Sequence, residues 1–219
     1  MNSCEKIRSV FGSVTTGVQA SLLSIGLGTM LFVGGFVSAG CQGENPCECG
    51  DTDAAEVETP EGAWYDPDSG LTWENPASSD PFAWGEAERY CYDLVIGDLE
   101  DWRLPTISEL RSLVRGCPEM EIGGACGVTD ECADYPSCTE GSDCLCNAKK
   151  GPDEGCFWPE PLEGPCGDGQ FFWSATPVRG NLEYEAAWFL GYSRAETGWN
   201  QKMGSAYVRC VREQRKFME

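Results

Sequence analysis

Residues 101–110 read Asp101-Trp102-Arg103-Leu104-Pro105-Thr106-Ile107-Ser108-Glu109-Leu110. Within them Thr106-Ile107-Ser108-Glu109 is a capping box, in which the hydroxyl and the carboxylate each satisfy a backbone N–H orphaned at a helix start. A helix therefore begins at Thr106, with Leu110, Leu113 and Val114 as its buried stripe. Glu109 invites a catalytic reading, but its place three residues after Thr106 makes it a cap partner.

On the N-terminal side, Asp80-Pro81 marks an earlier helix, an acidic cap followed by proline at the first helical position. Trp84, Ala87, Cys91 and Leu94 share one face of it, so Cys91 points inward. Before that helix, Ala63-Trp64-Tyr65-Asp66, Pro67-Asp68-Ser69-Gly70 and Leu71-Thr72-Trp73 read as strand, turn and strand. On the C-terminal side, strand signals resume at Phe171–Ser174, Ala186–Tyr192 and Ala206–Arg212. In the last of these Tyr207, Arg209 and Val211 alternate with Val208 and Cys210, which puts Cys210 on a face with Val208. Between the halves, residues 116–169 hold eight cysteines, twelve acidic residues and two lysines. Only Phe157, Trp158 and Leu162 offer bulky apolar surface there, late in the stretch. Such a segment buries too little to offset its chain entropy, so it reads as a cysteine-rich insertion held by covalent staples.

The 219 residues include 41% hydrophobic and 11% aromatic side chains, enough for a core, and no histidine. The missing imidazole removes the commonest general base, the usual zinc ligand and every Ser-His or Cys-His pair. The net charge is −21, which makes nucleic acid and polyanionic sugars poor partners. Its plain meaning is solubility; the other is attraction of a cation or a basic partner.

Cys4 and Cys41 flank an apolar segment, leaving Cys47, Cys49, Cys91, Cys117, Cys126, Cys132, Cys138, Cys144, Cys146, Cys156, Cys166 and Cys210. An even set of this density in an exported chain reads as disulfides, whereas zinc knuckles need Cys-x-x-Cys pairs and none occurs. The eight at Cys117 to Cys166 form four internal bridges whose pairing spacing does not choose, and Cys47 with Cys49 is a further possible staple.

Export rests on the N-terminus. Lys6 and Arg8 precede an uncharged run from Val18 to Ala39 that ends Ser38-Ala39-Gly40-Cys41. This resembles the lipobox of bacterial lipoproteins, with Ser38 standing where an aliphatic residue is usual. The resemblance implies a signal peptide over 1–40 and acylation of Cys41, whose lipid chains anchor the mature protein to a bacterial membrane, the outer one foremost, facing periplasm or exterior. An uncleaved spanning anchor and plain secretory cleavage after Gly40 are the alternatives. Residues 41–62 then read as an acidic tether and 213–219 as a charged tail.

Gly70-Leu71-Thr72-Trp73, Tyr90-Cys91, Asp101-Trp102-Arg103-Leu104-Pro105-Thr106 with Glu109-Leu110, Phe172-Trp173-Ser174-Ala175-Thr176, Ala187-Trp188-Phe189 and Tyr207–Arg212 occur in that order. Together they resemble the Lcl C-terminal domain family, named for the Legionella collagen-like protein, over about residues 63–212 with the insertion at 116–169 inside. The Trp-Arg-Leu-Pro-Thr block is similar to one in formylglycine-generating enzymes. The resemblance implies an α+β, C-type-lectin-like domain, two helices packed on twisted antiparallel sheets, with a bridge from Cys91 to Cys210. It makes Asp101, Trp102 and Arg103 a structural core motif, Arg103 answering a buried carboxylate or carbonyl with Asp101 one candidate.

For function the resemblance implies a non-enzymatic surface binding module, used in adhesion or recognition of a ligand on a cell, matrix or envelope. Its recognition surface is expected on the insertion and the loop Gly191 to Asn200, with Arg194, Glu196, Trp199 and Asn200. The alternatives are a structural envelope lipoprotein without a soluble ligand and, behind it, an enzyme of the formylglycine-generating type, which needs a reactive thiol pair. No catalytic residue, metal or cofactor is expected. A C-type-lectin calcium site is not favoured, because in Trp199-Asn200-Gln201 the glutamine replaces the lectins' ionised ligand and in Glu160-Pro161-Leu162 the leucine cannot ligate. Asp130, Glu131 and Asp134 remain as loop acids that could hold calcium loosely.

Overall fold

The computed structural model describes residues 59–180 and 182–214. Cys41, Cys47, Cys49, the signal segment, almost all of the tether and residues 215–219 lie outside the described residues.

Strands β1 (Ala63–Asp66) and β2 (Leu71–Glu74) form the expected hairpin, with Trp64 opposite Trp73. Its turn closes through Gly70 N–H to the Asp66 carbonyl at 2.8 Å, while the buried Asp66 carboxylate accepts the Ser69 hydroxyl at 2.6 Å. Gly70 sits at φ +73°, where a Cβ is strained.

The first helix starts later than Asp80-Pro81. Phe82–Ala83 is instead a two-residue strand, β3, and α1 runs over Trp84–Asp93. The backbone of Phe82 and Ala83 is taken by a ladder to β7 (Ser205–Ala206), so helical bonding cannot begin before Trp84. Glu86 caps the start by accepting the Ala83 N–H at 3.2 Å. The inward face is as read: Ala87 and Cys91 are fully buried, Trp84 and Leu94 half-buried. Helix α2, Ile107–Ser112, has its capping box, with Thr106 Oγ accepting the Glu109 N–H and Glu109 accepting the Thr106 N–H. Leu110, Leu113 and Val114 are buried.

Strands β4 (Phe172–Pro177), β5 (Ala186–Gly191) and β6 (Glu196–Gln201) form an antiparallel meander with β5 in the middle. The final strand is broken. β7 pairs with β3, β8 (Val211–Glu213) pairs with β2, and residues 207–210 run between two sheets. There Ser78 and Val208 exchange bonds, Ser78 N–H to the Val208 carbonyl and the Val208 N–H to the Ser78 hydroxyl.

The β4-β5-β6 sheet separates two cores, as period-two alternation requires. One face sends Phe172, Trp188 and Leu190 into a cluster with Trp73, Leu110 and Leu113. The other sends Trp173, Ala187 and Phe189 against Ala87, Trp102, Val208 and the Cys91–Cys210 pair. Those two cysteines are bonded, with Cα atoms 5.4 Å apart. The domain is thus mixed helix and sheet, with two short α-helices, small antiparallel sheets and five disulfides. No helix among the described residues is long and apolar enough to cross a membrane.

Candidate functional site

The insertion is built into the fold and does more than hang from it. Its four bridges are Cys117–Cys146, Cys126–Cys144, Cys132–Cys138 and Cys156–Cys166. Yet Met120 and Val128, as well as Phe157, Trp158 and Leu162, are buried in the main core, so the expectation of staples in place of burial is corrected. The organiser is Arg111, 1% exposed, whose guanidinium donates to the carbonyls of Met120 (3.1 Å), Glu121 (3.1 Å) and Val128. Five fixed donors match a loop of carbonyls in a way no aliphatic side chain could. Asp130 completes the seam from the other side, accepting the Ser108 N–H at 3.3 Å and the Thr176 hydroxyl at 3.0 Å.

The same insertion lies along the open edge of β6. Thr197 N–H donates to the Cys144 carbonyl at 2.9 Å, and Cys146 N–H to the Arg194 carbonyl at 3.2 Å. On the sheet face, Trp188 Nε1 donates to the Ala133 carbonyl at 3.0 Å. These bonds hold residues 132–138 over the end of β6, and there the site forms. Tyr135 meets Trp199 edge-on with centroids 5.3 Å apart, and Tyr184, from the β4–β5 connection, lies 6.1 Å from the same indole. Tyr135 is 40% and Tyr184 43% exposed, with Trp199 half-buried between them. Three aromatic rings from three chain segments thus meet at the surface.

The expected loop Gly191 to Asn200 is mostly strand, because Glu196–Gln201 pairs in register with Ala186–Gly191. Alternation then divides the four residues chosen from the sequence. Trp199 shares the face of Trp188; Glu196 and Asn200 take the opposite face; Arg194 is in the turn and pairs with Glu196 at 3.4 Å. Trp199 alone joins the aromatic cluster. Tyr135 and Tyr184 were missed, although the sequence carries a signal: each tyrosine stands among polar and acidic neighbours, Asp134-Tyr135-Pro136 and Glu183-Tyr184-Glu185, with no apolar stretch to draw it inside.

The acids weighed for calcium are otherwise employed or ungrouped. Asp130 is spent on Ser108 and Thr176. Cys117, Cys146 and Glu119 lie within metal-ligand reach of one another, but Cys117 and Cys146 are bonded together, so no thiolate is left to ligate. Arg103 finds a carboxylate in Glu109, at 2.7 and 2.6 Å through both Nη atoms, which gives Glu109 a second task besides capping.

Two charged groups lie deep in the core. Glu74 accepts the Cys210 N–H at 3.0 Å and the Tyr90 hydroxyl, and burial raises its pKa. Arg209 is fully buried, donates to the carbonyls of Glu74 (2.9 Å) and Glu163 (2.7 Å), and stacks over Trp158; burial pulls its pKa down to about 10. Both serve packing. A separate surface groove of about 640 Å³ runs between α1 and Trp102–Leu104, edged by the Arg89–Asp93 ion pair and by Tyr92.

Residues 62–212 match the family model of the Lcl C-terminal domain. The chain belongs to that family. No curated protein and no solved structure matches it. Within the Lcl C-terminal domain, Trp102, Leu104, Trp173, Cys91 and Cys210 form one buried cluster, so the blocks that carry the family likeness are core, and the aromatic cluster sits outside them, where the insertion touches β6.

Proposed function

We propose that the chain is an exported, non-enzymatic binding module whose recognition surface is the aromatic cluster of Tyr135, Trp199 and Tyr184. The observation that carries this is the exposure of Tyr135 and Tyr184 at a point fixed by the insertion, both gathered on Trp199, which packs against the main core on one side and stays half-exposed on the other. Aromatic side chains held rigid beforehand give large contact area at little entropic cost on binding. The scaffold is C-type-lectin-like in this reading, with loops and an insertion displayed from a disulfide frame. Lipid attachment at Cys41 and an acidic tether over 41–62 hold it to the membrane while letting it face outward. The density of disulfides supports an oxidising location.

The non-catalytic reading is supported by the cysteines: all ten in the described residues are bridged, which leaves no thiol pair there for formylglycine-type chemistry. The test is binding of the full chain to immobilised glycans, matrix proteins and peptides, repeated with Trp199→Leu, alongside thiol titration. Saturable binding that Trp199→Leu abolishes while the disulfides stay intact is the expected result. No saturable binding to any class would leave a structural envelope role, and two titratable thiols would revive the enzyme.

A further inference from the structure

We infer that the aromatic cluster takes arginine side chains of a basic partner protein. This rests on the binding-module reading and names its ligand. The first ground is the cluster itself. Tyr135 and Tyr184 both gather on Trp199, with centroids 5.3 and 6.1 Å from it, and both stay exposed, and a guanidinium is planar, weakly hydrated and attracted to aromatic faces.

The second ground is charge. Residues 59–214 contain 28 acidic and 11 basic side chains. Nine of the eleven are already engaged inside the domain. Arg111, Arg209 and Arg212 donate to buried or half-buried carbonyls, and Arg179 donates to the carbonyls of Asp130 and Glu131. Arg89, Arg103, Arg115 and Arg194 face carboxylates, while Lys202 lies over the Trp84 ring. Only Lys149 and Lys150 are left over. The exterior therefore shows a partner an excess of carboxylates, and Asp134, Glu183 and Glu185, the last of them 4.0 Å from the Lys202 ammonium, adjoin the two tyrosines along the chain. A cation is drawn toward this surface and a polyanion repelled.

The third ground is rigidity. Tyr135 lies within the Cys132–Cys138 loop, and its N–H donates to the Arg179 carbonyl at 3.0 Å. The ring is positioned before any partner arrives, so little ordering cost falls on binding.

The experiment uses the full chain with a short peptide of alternating arginine and glycine as probe, followed by fluorescence anisotropy. The same peptide with lysine, the same with glutamate, and a neutral oligosaccharide run in parallel. The arginine peptide binds saturably, more tightly than the lysine one, and more weakly as salt rises. Tyr135→Leu with Tyr184→Leu, which keeps apolar bulk and removes the rings, weakens it roughly tenfold, as loss of about one good cation–π contact predicts. Tyr92→Leu, at an 83% exposed tyrosine on α1, changes nothing. Equal affinity in the double variant would overturn the inference, since diffuse acidity would then account for binding. Binding of the oligosaccharide in place of the peptide, still lost in Trp199→Leu, would overturn the ligand class and leave the binding module standing. Absence of saturable binding to every probe would remove both.

Discussion

Arg111 shows how one side chain decides whether an insertion belongs to a domain. Its three carbonyl acceptors come from residues 120, 121 and 128, which contain no helix or strand of their own to satisfy them. Arg111→Leu leaves the buried Met120 and Val128 carbonyls without that donor, while the part-buried Glu121 carbonyl keeps the Gly124 N–H, at a cost of about 1–3 kcal/mol for each group that water cannot reach. We expect a loss of at least about 3 kcal/mol in urea unfolding, with faster amide exchange over residues 117–146, and partial recovery in Arg111→Lys, whose single ammonium cannot span all three acceptors. Glu74 makes a prediction of the opposite kind. Desolvation holds its folded pKa above the ordinary 4.5, against the lowering effects of Tyr90, the Cys210 N–H and Arg209. A carboxyl that binds its proton more tightly when folded contributes stability in acid, and that contribution is lost as pH rises from about 4.5 through the folded value. Glu74→Gln keeps an acceptor for the Cys210 N–H and removes the titration. The difference in unfolding free energy between wild type and variant should therefore shift in the variant's favour on going from pH 4 to pH 7, and a pH-independent difference would contradict it.

At the scale of elements, legibility followed how local each cause was. The hairpin around Pro67–Gly70 and the capping box at Thr106 are set by residues within four positions of one another, and both are where periodicity and turn chemistry put them. The start of α1 is not where the local signal puts it because a partner 122 to 124 residues away, Ser205–Ala206, claims the Phe82–Ala83 backbone, and no local signal announces it. The break in the last strand has the same origin: Tyr207 bridges to Phe171 and Trp173, and residues 208–210 bond to residues 74–78, so no single neighbouring strand pairs with it throughout. At the site, Trp199 is legible as part of the stretch Gly191 to Asn200 read as a display loop, while its partners arrive from the insertion, held by Arg111 and Asp130, and from the β4–β5 connection, tied to the insertion through Arg179. Deleting 117–166 would thus remove Met120, Val128, Phe157, Trp158 and Leu162 from the core, and the remainder should not fold. The disulfides are separable. In the chain-entropy view, the Cys91–Cys210 loop, with a sequence separation of 119, contributes on the order of 5 kcal/mol, and the Cys132–Cys138 loop, with a separation of 6, on the order of 2. Replacing Cys91 and Cys210 together by alanine should lower the denaturation midpoint markedly. Replacing Cys132 and Cys138 should lower it less, and should weaken binding at Tyr135 more than its effect on stability accounts for.

Across the whole molecule the dominant fact is the imbalance of charge, −21 with a sequence pI near 4.2. Most cations are consumed in holding carbonyls and carboxylates inside the domain, so the repulsion among the remaining acids is not relieved by their neighbours. Two consequences follow with opposite signs in the same variable. Added salt screens repulsion among exposed carboxylates, whose separations on a small domain are comparable to the Debye length of about 10 Å at 0.1 M, so the folded state gains on the more expanded unfolded one. The melting temperature at pH 7 should rise by a few degrees, roughly 2–5 °C, between low salt and about 0.2 M sodium chloride. The same screening removes the attraction that brings a basic partner to the surface, so affinity for an arginine peptide should fall over that range. Screening is the common cause, and Lys149→Glu with Lys150→Glu should therefore lower the melting temperature in dilute buffer and leave it nearly unchanged at high salt. A melting temperature that is flat in salt would mean that the carboxylates are already neutralised, by bound cations or by one another, and the electrostatic case for a basic partner would fall with it.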